Sequence, residues 1–211
     1  MLLRKIKIPK KILYLLVLAV FLNILRILLF KSFSFSYMIW NIVLACIPFL
    51  ISSILVVYTT KENMIKPFFI IGFILWFLFL PNAPYVITDF IHLGRVHTVP
   101  IMYDTFLLFT SALASLLMGL YSICHIEKIL LLRFSKKVTN IVIALTILFA
   151  SFGIYLGRYL RFNSWDLFIS QNSLFVSIWK IFTQSNDYVN VYWYTLLFFI
   201  FIYISYCSFR E

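Results

Sequence analysis

Long apolar runs separated by short polar gaps are the main pattern of this chain. A helix that crosses a bilayer needs about 20 mostly apolar residues. Six runs are candidates, at about residues 12–30, 37–59, 67–80, 105–126, 139–157 and 191–209. The third run would be roughly 21 Å long as a helix. It crosses a core of about 30 Å only if the chain beyond Pro81 stays at membrane depth.

Composition supports a membrane location. Of the 211 residues, 64% are hydrophobic and 12% are charged, whereas about a quarter of the residues of a soluble domain are charged. The formal net charge is +11, but the basic residues lie in gaps between apolar runs and form no basic stripe, so no nucleic-acid partner is predicted. The sequence predicts an all-α, polytopic transmembrane helix bundle, with residues 1–211 as one integral membrane domain in the lipid bilayer.

The distribution of Lys and Arg predicts the orientation. If the N-terminus is cytoplasmic, twelve basic residues lie inside and five lie outside, as the positive-inside rule requires. Both termini are therefore expected in the cytoplasm, in a multi-pass protein of the cytoplasmic membrane. Arg26, within the first run, is expected to extend its side chain to the outer interface. The first run lacks a following small-x-small cleavage site and is interpreted as an uncleaved anchor.

The stretch LPNAPYVITDFIHL, residues 80–93, interrupts the third span. Pro81 and Pro84 are expected to break the helix, and Asn82 is expected to cap a new one. At α-helical spacing, four side chains then form one polar stripe: Asn82, Tyr85, Asp89 and His92. Irregular backbone at membrane depth is tolerated where it lines a cavity, so this stretch is predicted to form a wall of an outward-facing polar pocket.

Two further segments place charges near that side of the membrane. VPIMYDTF, residues 99–106, puts Asp104 at the start of the fourth span, where the helix dipole favours an anion. GIYLGRYLRFNSWD, residues 153–166, puts Arg158 and Arg161 on one helical face, with Asp166 just beyond. Because guanidinium groups match phosphate and carboxylate oxygens, the two arginines are candidates for binding an anion.

The motifs LPNAPYVITDFIHL, PIMYD and GIYLGRYLRFNSWD together resemble the bacterial membrane-protein family called domain of unknown function 1361. The resemblance covers most of the chain, from about the second span to the sixth. It implies a small polytopic inner-membrane protein. It supplies no activity, so it implies no catalytic residue.

Three functional hypotheses remain open, and the sequence does not decide whether the protein is an enzyme. In the first, the pocket binds or modifies an anionic envelope or lipid-linked substrate, with Asp89 and His92 as catalytic groups. Its substrate-binding residues would be Arg158, Arg161, Asn82, Tyr85, Asp104 and Asp166. In the second, the protein is a non-catalytic membrane subunit or scaffold, and Arg158 or Arg161 pairs with an aspartate. In the third, it is a small transporter component that forms a homo-oligomer or joins a membrane partner.

Two smaller patterns complete the picture. Asp89 and His92 are spaced like metal ligands, but D-x-x-H is a short pattern, so no metal site and no cofactor are predicted. The segment NSLFVSIWKIF, residues 172–182, has Leu174 and Ile181 at helical spacing together with Trp179 and Lys180. This pattern predicts a helix that lies in the outer membrane interface.

Overall fold

The computed structural model describes residues 9–60, 66–94, 99–169, 171–183 and 189–210. In this part of the chain the regular structure is helical. The helices are α1 Lys10–Phe30, α2 Tyr37–Tyr58, α3 Pro67–Phe79, α4 Asn82–Tyr85, a 3₁₀ helix Val86–His92, α5 Ile101–Leu130, α6 Lys136–Tyr159, α7 Asp166–Ile169, α8 Gln171–Thr183 and α9 Val189–Phe209.

Six segments of the described chain are long and apolar enough to cross a membrane. They are Lys10–Phe30, Tyr37–Tyr58, Pro67–His92, Ile101–Leu130, Lys136–Tyr159 and Val191–Phe209. The prediction of an all-α polytopic bundle with about six spans is confirmed. The helices divide into two compact units, Met1–Asn140 and Ile141–Glu211.

Helix α5 is the centre of the first unit. It packs against α1, α2, α4 and the 3₁₀ helix. Small side chains make this close packing possible, as is usual between helices in membranes. Ser111, Ser115 and Ser122 are fully buried along α5, and Gly119 lies between them. The broken third span therefore lies directly against the most buried helix of this unit.

The break in the third span is confirmed near Pro81 and Pro84. The hydrogen bond made by the side chain of Asn82 differs from the expected helix cap. The amide nitrogen of Asn82 donates to the carbonyl oxygen of Phe79 over 3.0 Å, and no side chain caps the start of α4. The prediction that Asn82 caps the new helix is wrong. Asn82 instead binds a carbonyl at the end of α3, where the prolines cannot donate hydrogen bonds.

Gly119 is required where α5 meets this break. A Cβ atom at Gly119 would lie 2.9 Å from the Cβ of Ala83, and neither atom can rotate away. We expect Gly119→Ala to lower the free energy of unfolding by about 1–3 kcal/mol, the usual cost of overpacking. The measurement is the melting temperature in detergent.

The matched control is Gly72→Ala. Its added Cβ would meet Cδ2 of Leu55 at 2.6 Å, and this atom is the end of a flexible side chain that can move aside. We expect a smaller decrease in melting temperature for this variant. Equal decreases for the two variants would show that the contact between Gly119 and Ala83 is not tight.

The second unit contains most of α6 together with α7, α8 and α9. Tyr155 of α6, Ile181 of α8 and Val191 of α9 are buried in one cluster. The rings of Tyr155 and Tyr159 stack with centroids 4.8 Å apart, and Tyr194 meets both edge-on. Because Tyr155 is near the end of α6 and Val191 is near the start of α9, this cluster holds α8 at the ends of two spans.

Candidate functional site

A buried ion pair joins α1 to α5. Arg26 Nε donates to Asp104 Oδ1 over 2.7 Å, and Nη2 donates to Oδ2 over 3.2 Å. The other terminal nitrogen of Arg26 donates to the carbonyl and hydroxyl oxygens of Ser32, and the ring of Phe35 covers the guanidinium at 4.8 Å. We call Arg26, Ser32, Phe35 and Asp104 the Arg26 cluster.

The local chain conformation builds this cluster. Helix α1 ends at Phe30, and Lys31 adopts a left-handed conformation with φ 49°, so the chain turns and brings Ser32 back over Arg26. The hydroxyl of Tyr103 donates to the carbonyl oxygen of Leu22 over 2.7 Å, which fixes the first turn of α5 beside α1. Asp104 lies in that turn, one residue after Tyr103.

The Arg26 cluster corrects the prediction made for Arg26. Arg26 is 1% exposed, so the prediction that it extends to the interface is wrong. The described ion pair of Asp104 is with Arg26, and the predicted substrate contact of Asp104 stays a prediction. The sequence did contain an indication of this ion pair, because Arg26 is the only Lys or Arg inside the six predicted runs. Ionisable residues within spans usually pair with one another.

A second polar group forms around Asp89, between α2 and the 3₁₀ helix. Asp89 is 1% exposed, and the amide nitrogen of Asn41 donates to its Oδ2 over 2.8 Å. His92 lies three residues further on and on the same face, because a 3₁₀ helix has three residues per turn. The ring of Tyr37 meets His92 edge-on with centroids 6.0 Å apart. We call Tyr37, Asn41, Asp89 and His92 the Asp89 cluster.

The remaining stripe residues lie on the turn before Asp89. Asn82 and Tyr85 are half-buried, as is His92. The carbonyl oxygen of Tyr85 accepts a hydrogen bond from Thr88 Oγ1 over 2.7 Å. The sequence predicted Asn82, Tyr85, Asp89 and His92 as one stripe but did not predict that α2 adds Tyr37 and Asn41. Substrate contacts of Asn82 and Tyr85 stay a prediction.

The arginines predicted to bind an anion lie in the second unit, at the end of α6. Arg158 is half-buried in the last turn. Arg161 is exposed and has a left-handed backbone, with φ 59°. The nitrogen of Phe162 donates to the carbonyl oxygen of Leu156 over 3.2 Å, which closes the helix in the way that usually places glycine at the left-handed position.

Asp166 has a local structural contact. Its Oδ2 accepts a hydrogen bond from the backbone nitrogen of Asn163 over 2.6 Å. The backbone nitrogen of Asp166 donates in return to the carbonyl oxygen of Asn163 over 3.0 Å. The two hydrogen bonds close the turn that leads into α7, which begins at Asp166. The predicted substrate contact of Asp166 stays a prediction, as do those of Arg158 and Arg161.

A third polar contact lies further along α5. The Nδ1 atom of His125 is 3.2 Å from the hydroxyl of Ser52 and 3.5 Å from that of Ser53. The indole nitrogen of Trp76 donates to Ser122 Oγ over 3.2 Å. The sequence gave no supporting pattern for His125, because its partners lie on α2. These contacts connect α2 and α3 to α5.

His97, the histidine that follows His92 in the sequence, lies outside the described residues. Among the residues that are described, no three His, Cys, Asp or Glu side chains are grouped closely enough to hold a metal ion. The two aspartates of the first unit have different partners. Asp104 pairs with Arg26, and Asp89 accepts a hydrogen bond from Asn41.

Comparison with known proteins identifies the family of this chain. No curated protein and no solved structure matches this chain. The family described as "Protein of unknown function (DUF1361)" matches residues 40–205. This range includes the broken third span, Asp104 and the arginines of α6, while Arg26 lies before it. The match covers well over half of the chain, and the chain therefore belongs to the DUF1361 family.

Proposed function

We propose that this protein binds and modifies an anionic envelope or lipid-linked substrate at the outer side of the cytoplasmic membrane, with Asp89 and His92 as an acid–base pair. The observation that supports this proposal is the Asp89 cluster. The carboxylate of Asp89 is 1% exposed and accepts a hydrogen bond from Asn41. The half-buried His92 lies one 3₁₀ turn after Asp89.

Acid–base catalysis by this pair requires the carboxylate and the imidazole to lie on one face of the 3₁₀ helix. Asn41 binds one oxygen of Asp89, which fixes the plane of the carboxylate. His92 is more exposed than Asp89, so we assign His92 to direct proton transfer with the substrate and Asp89 to orienting the imidazole and stabilising its charge. Ionisable residues in a membrane span are candidates for function by default, because placing them there is costly.

The outer side follows from the charge distribution. With the N-terminus inside, α1 ends outside, and so do the 3₁₀ helix and α6. Arg158 and Arg161 lie in the second unit. Anion binding by them stays a separate prediction, which rests on the ability of a guanidinium to bind phosphate or carboxylate through two parallel hydrogen bonds.

The test is complementation of a deletion strain with His92→Gln, which keeps a polar side chain but removes the titrating ring. Mass spectrometry of the envelope lipids and lipid-linked precursors is the measurement. We expect the deletion to accumulate a precursor, wild type to remove it, and His92→Gln to leave at least about tenfold more of it, since acid–base groups contribute roughly 10²–10⁴-fold to rate.

Thr88→Ala is the matched control on the same 3₁₀ helix, because Thr88 Oγ1 makes a local hydrogen bond to the carbonyl of Tyr85. This variant should restore the wild-type lipid profile. A deletion strain whose envelope lipids equal those of wild type would refute the proposed substrate class.

The Arg26 cluster supports a second candidate function, that of a non-catalytic membrane subunit or scaffold. This cluster uses two opposite charges to hold α1, α5 and the connection at Ser32 together. If the whole outer charge pattern has this role, a partner protein should co-purify in stoichiometric amount, and His92→Gln should complement the deletion fully.

A further inference from the structure

We propose that α8 is an interfacial anchor whose exposed aromatic ridge, formed by Phe175 and Trp179, inserts into the boundary between the lipid headgroups and the acyl chains. The two side chains are one helical turn apart, and they are 59% and 70% exposed outside the protein. This inference concerns the surface of α8 alone and does not depend on the proposed acid–base function.

The position of α8 at the ends of two spans supports lipid as the partner that contacts this ridge. Ile181 of α8 is fully buried against Tyr155 and Val191, near the end of α6 and the start of α9. The ends of these spans lie at the membrane surface, and α8 is held at the same level. With 13 residues, α8 is about 20 Å long and too short to cross the bilayer.

The side chains of α8 fall into three sectors around the helix axis. Leu174 and Ile181 face the protein. Successive residues are about 100° apart, so Phe175 and Trp179 form the next sector. Lys180 is exposed in the sector beyond, about 100° further around the axis from Trp179.

This order is the one that a helix in the membrane interface requires. The aromatic sector and Lys180 are roughly 120° apart around the helix axis, so in a helix that lies along the interface the aromatic sector can meet the acyl chains while Lys180 meets the headgroups. Tryptophan is favoured at this level, because its ring is apolar and its N–H group needs a polar partner. The ammonium group of Lys180 complements anionic headgroups.

The experiment measures the depth of four positions in the full-length protein. In a background where Cys46, Cys124 and Cys207 are replaced by alanine, a nitroxide label is attached in turn to Phe175→Cys, Trp179→Cys, Lys180→Cys and Leu197→Cys. Each protein is reconstituted in vesicles of phosphatidylcholine and phosphatidylglycerol. Paramagnetic resonance then gives the accessibility of the label to oxygen, which partitions into lipid, and to a water-soluble nickel chelate.

The side chain of Lys180 is the reference for water, and that of Leu197, which is 64% exposed on the span α9, is the reference for the acyl chains. We expect labels at Phe175 and Trp179 to lie about 5–10 Å below the headgroups, shallower than Leu197 and less accessible to nickel than Lys180. The melting temperature of each labelled protein shows that it is folded, and all four labelled side chains are exposed, so the label displaces no buried contact.

Three results would overturn the proposal. Nickel accessibility at Phe175 and Trp179 equal to that at Lys180 would show that the ridge faces water. Low accessibility to both reagents would show that a second copy of the chain or a partner covers it. A depth equal to that of Leu197 would show that α8 does not lie in the interface.

Discussion

Replacing Arg26 with alanine is expected to lower the free energy of unfolding by about 3–5 kcal/mol, because it leaves the buried carboxylate of Asp104 without its counter-charge. Asp104 is 2% exposed, and Arg26 binds both of its oxygens. For a chain of this size, about 1 kcal/mol corresponds to roughly 2–4 °C. The melting temperature in detergent should therefore decrease by roughly 6–20 °C.

A double variant separates the ion pair from the rest of the cluster. Arg26→Met combined with Asp104→Leu removes both charges and keeps apolar bulk. Replacing a whole buried ion pair by hydrophobic residues is often neutral or stabilising. We expect the double variant to be more stable than Arg26→Ala.

Arg161→Ala is the matched control, since this arginine is exposed. Its melting temperature should change by less than about 2 °C, as for most surface substitutions. A decrease for Arg26→Ala that is no larger than that for Arg161→Ala would contradict a structural role of the Arg26 cluster.

Replacing Asp89 with asparagine is expected to reduce the cellular activity at least about 100-fold while the protein stays folded. Loss of an aspartate that orients a catalytic histidine can cost about 10⁴-fold in rate, and asparagine has nearly the same shape as aspartate. The new side chain keeps an oxygen that can accept the hydrogen bond from Asn41, which Asp89 Oδ2 accepts in the wild type. Complementation and melting temperature are measured on the same variant, and we expect the melting temperature to stay within about 3 °C of wild type.

Asp104→Asn is the matched comparison, because it makes the same chemical change at the other buried aspartate of the first unit. This variant leaves the Arg26 guanidinium buried without an anion, so its melting temperature should decrease more than that of Asp89→Asn. If Asp89→Asn is destabilised as strongly as Asp104→Asn and still complements the deletion, Asp89 has a structural role and the acid–base assignment is wrong.

These two aspartates show where sequence analysis was limited. Both are acidic residues near the ends of apolar runs, and the sequence placed both in one pocket. The structure pairs Asp104 with Arg26, which is 78 residues away in the chain. It places Asp89 beside Asn41, which is 48 residues away. Neither separation follows from a periodic pattern, because each contact forms between two different helices.

The sequence alone determined the elements that depend on local chemistry. The length of an apolar run decides whether a helix can cross the bilayer, so the helical spans and their number were predictable from residue order. Pro81 and Pro84 remove backbone donors wherever they stand in a helix, so the break in the third span was predictable too. The shared face of Asp89 and His92 also followed from a local argument, because residues three apart lie on one face in both helix types. The sequence predicted an α-helix here, and the structure has a 3₁₀ helix.

Only the tertiary structure decided which polar side chains meet. Arg26 lies deep in an apolar run, and a long side chain there can either reach the interface or bind an internal partner. Which of the two occurs depends on how α1 packs against α5, where Tyr103 binds Leu22 and brings Asp104 within 2.7 Å of Arg26. The energy of that arrangement depends on contacts between helices, and residue order within a single helix does not contain this information.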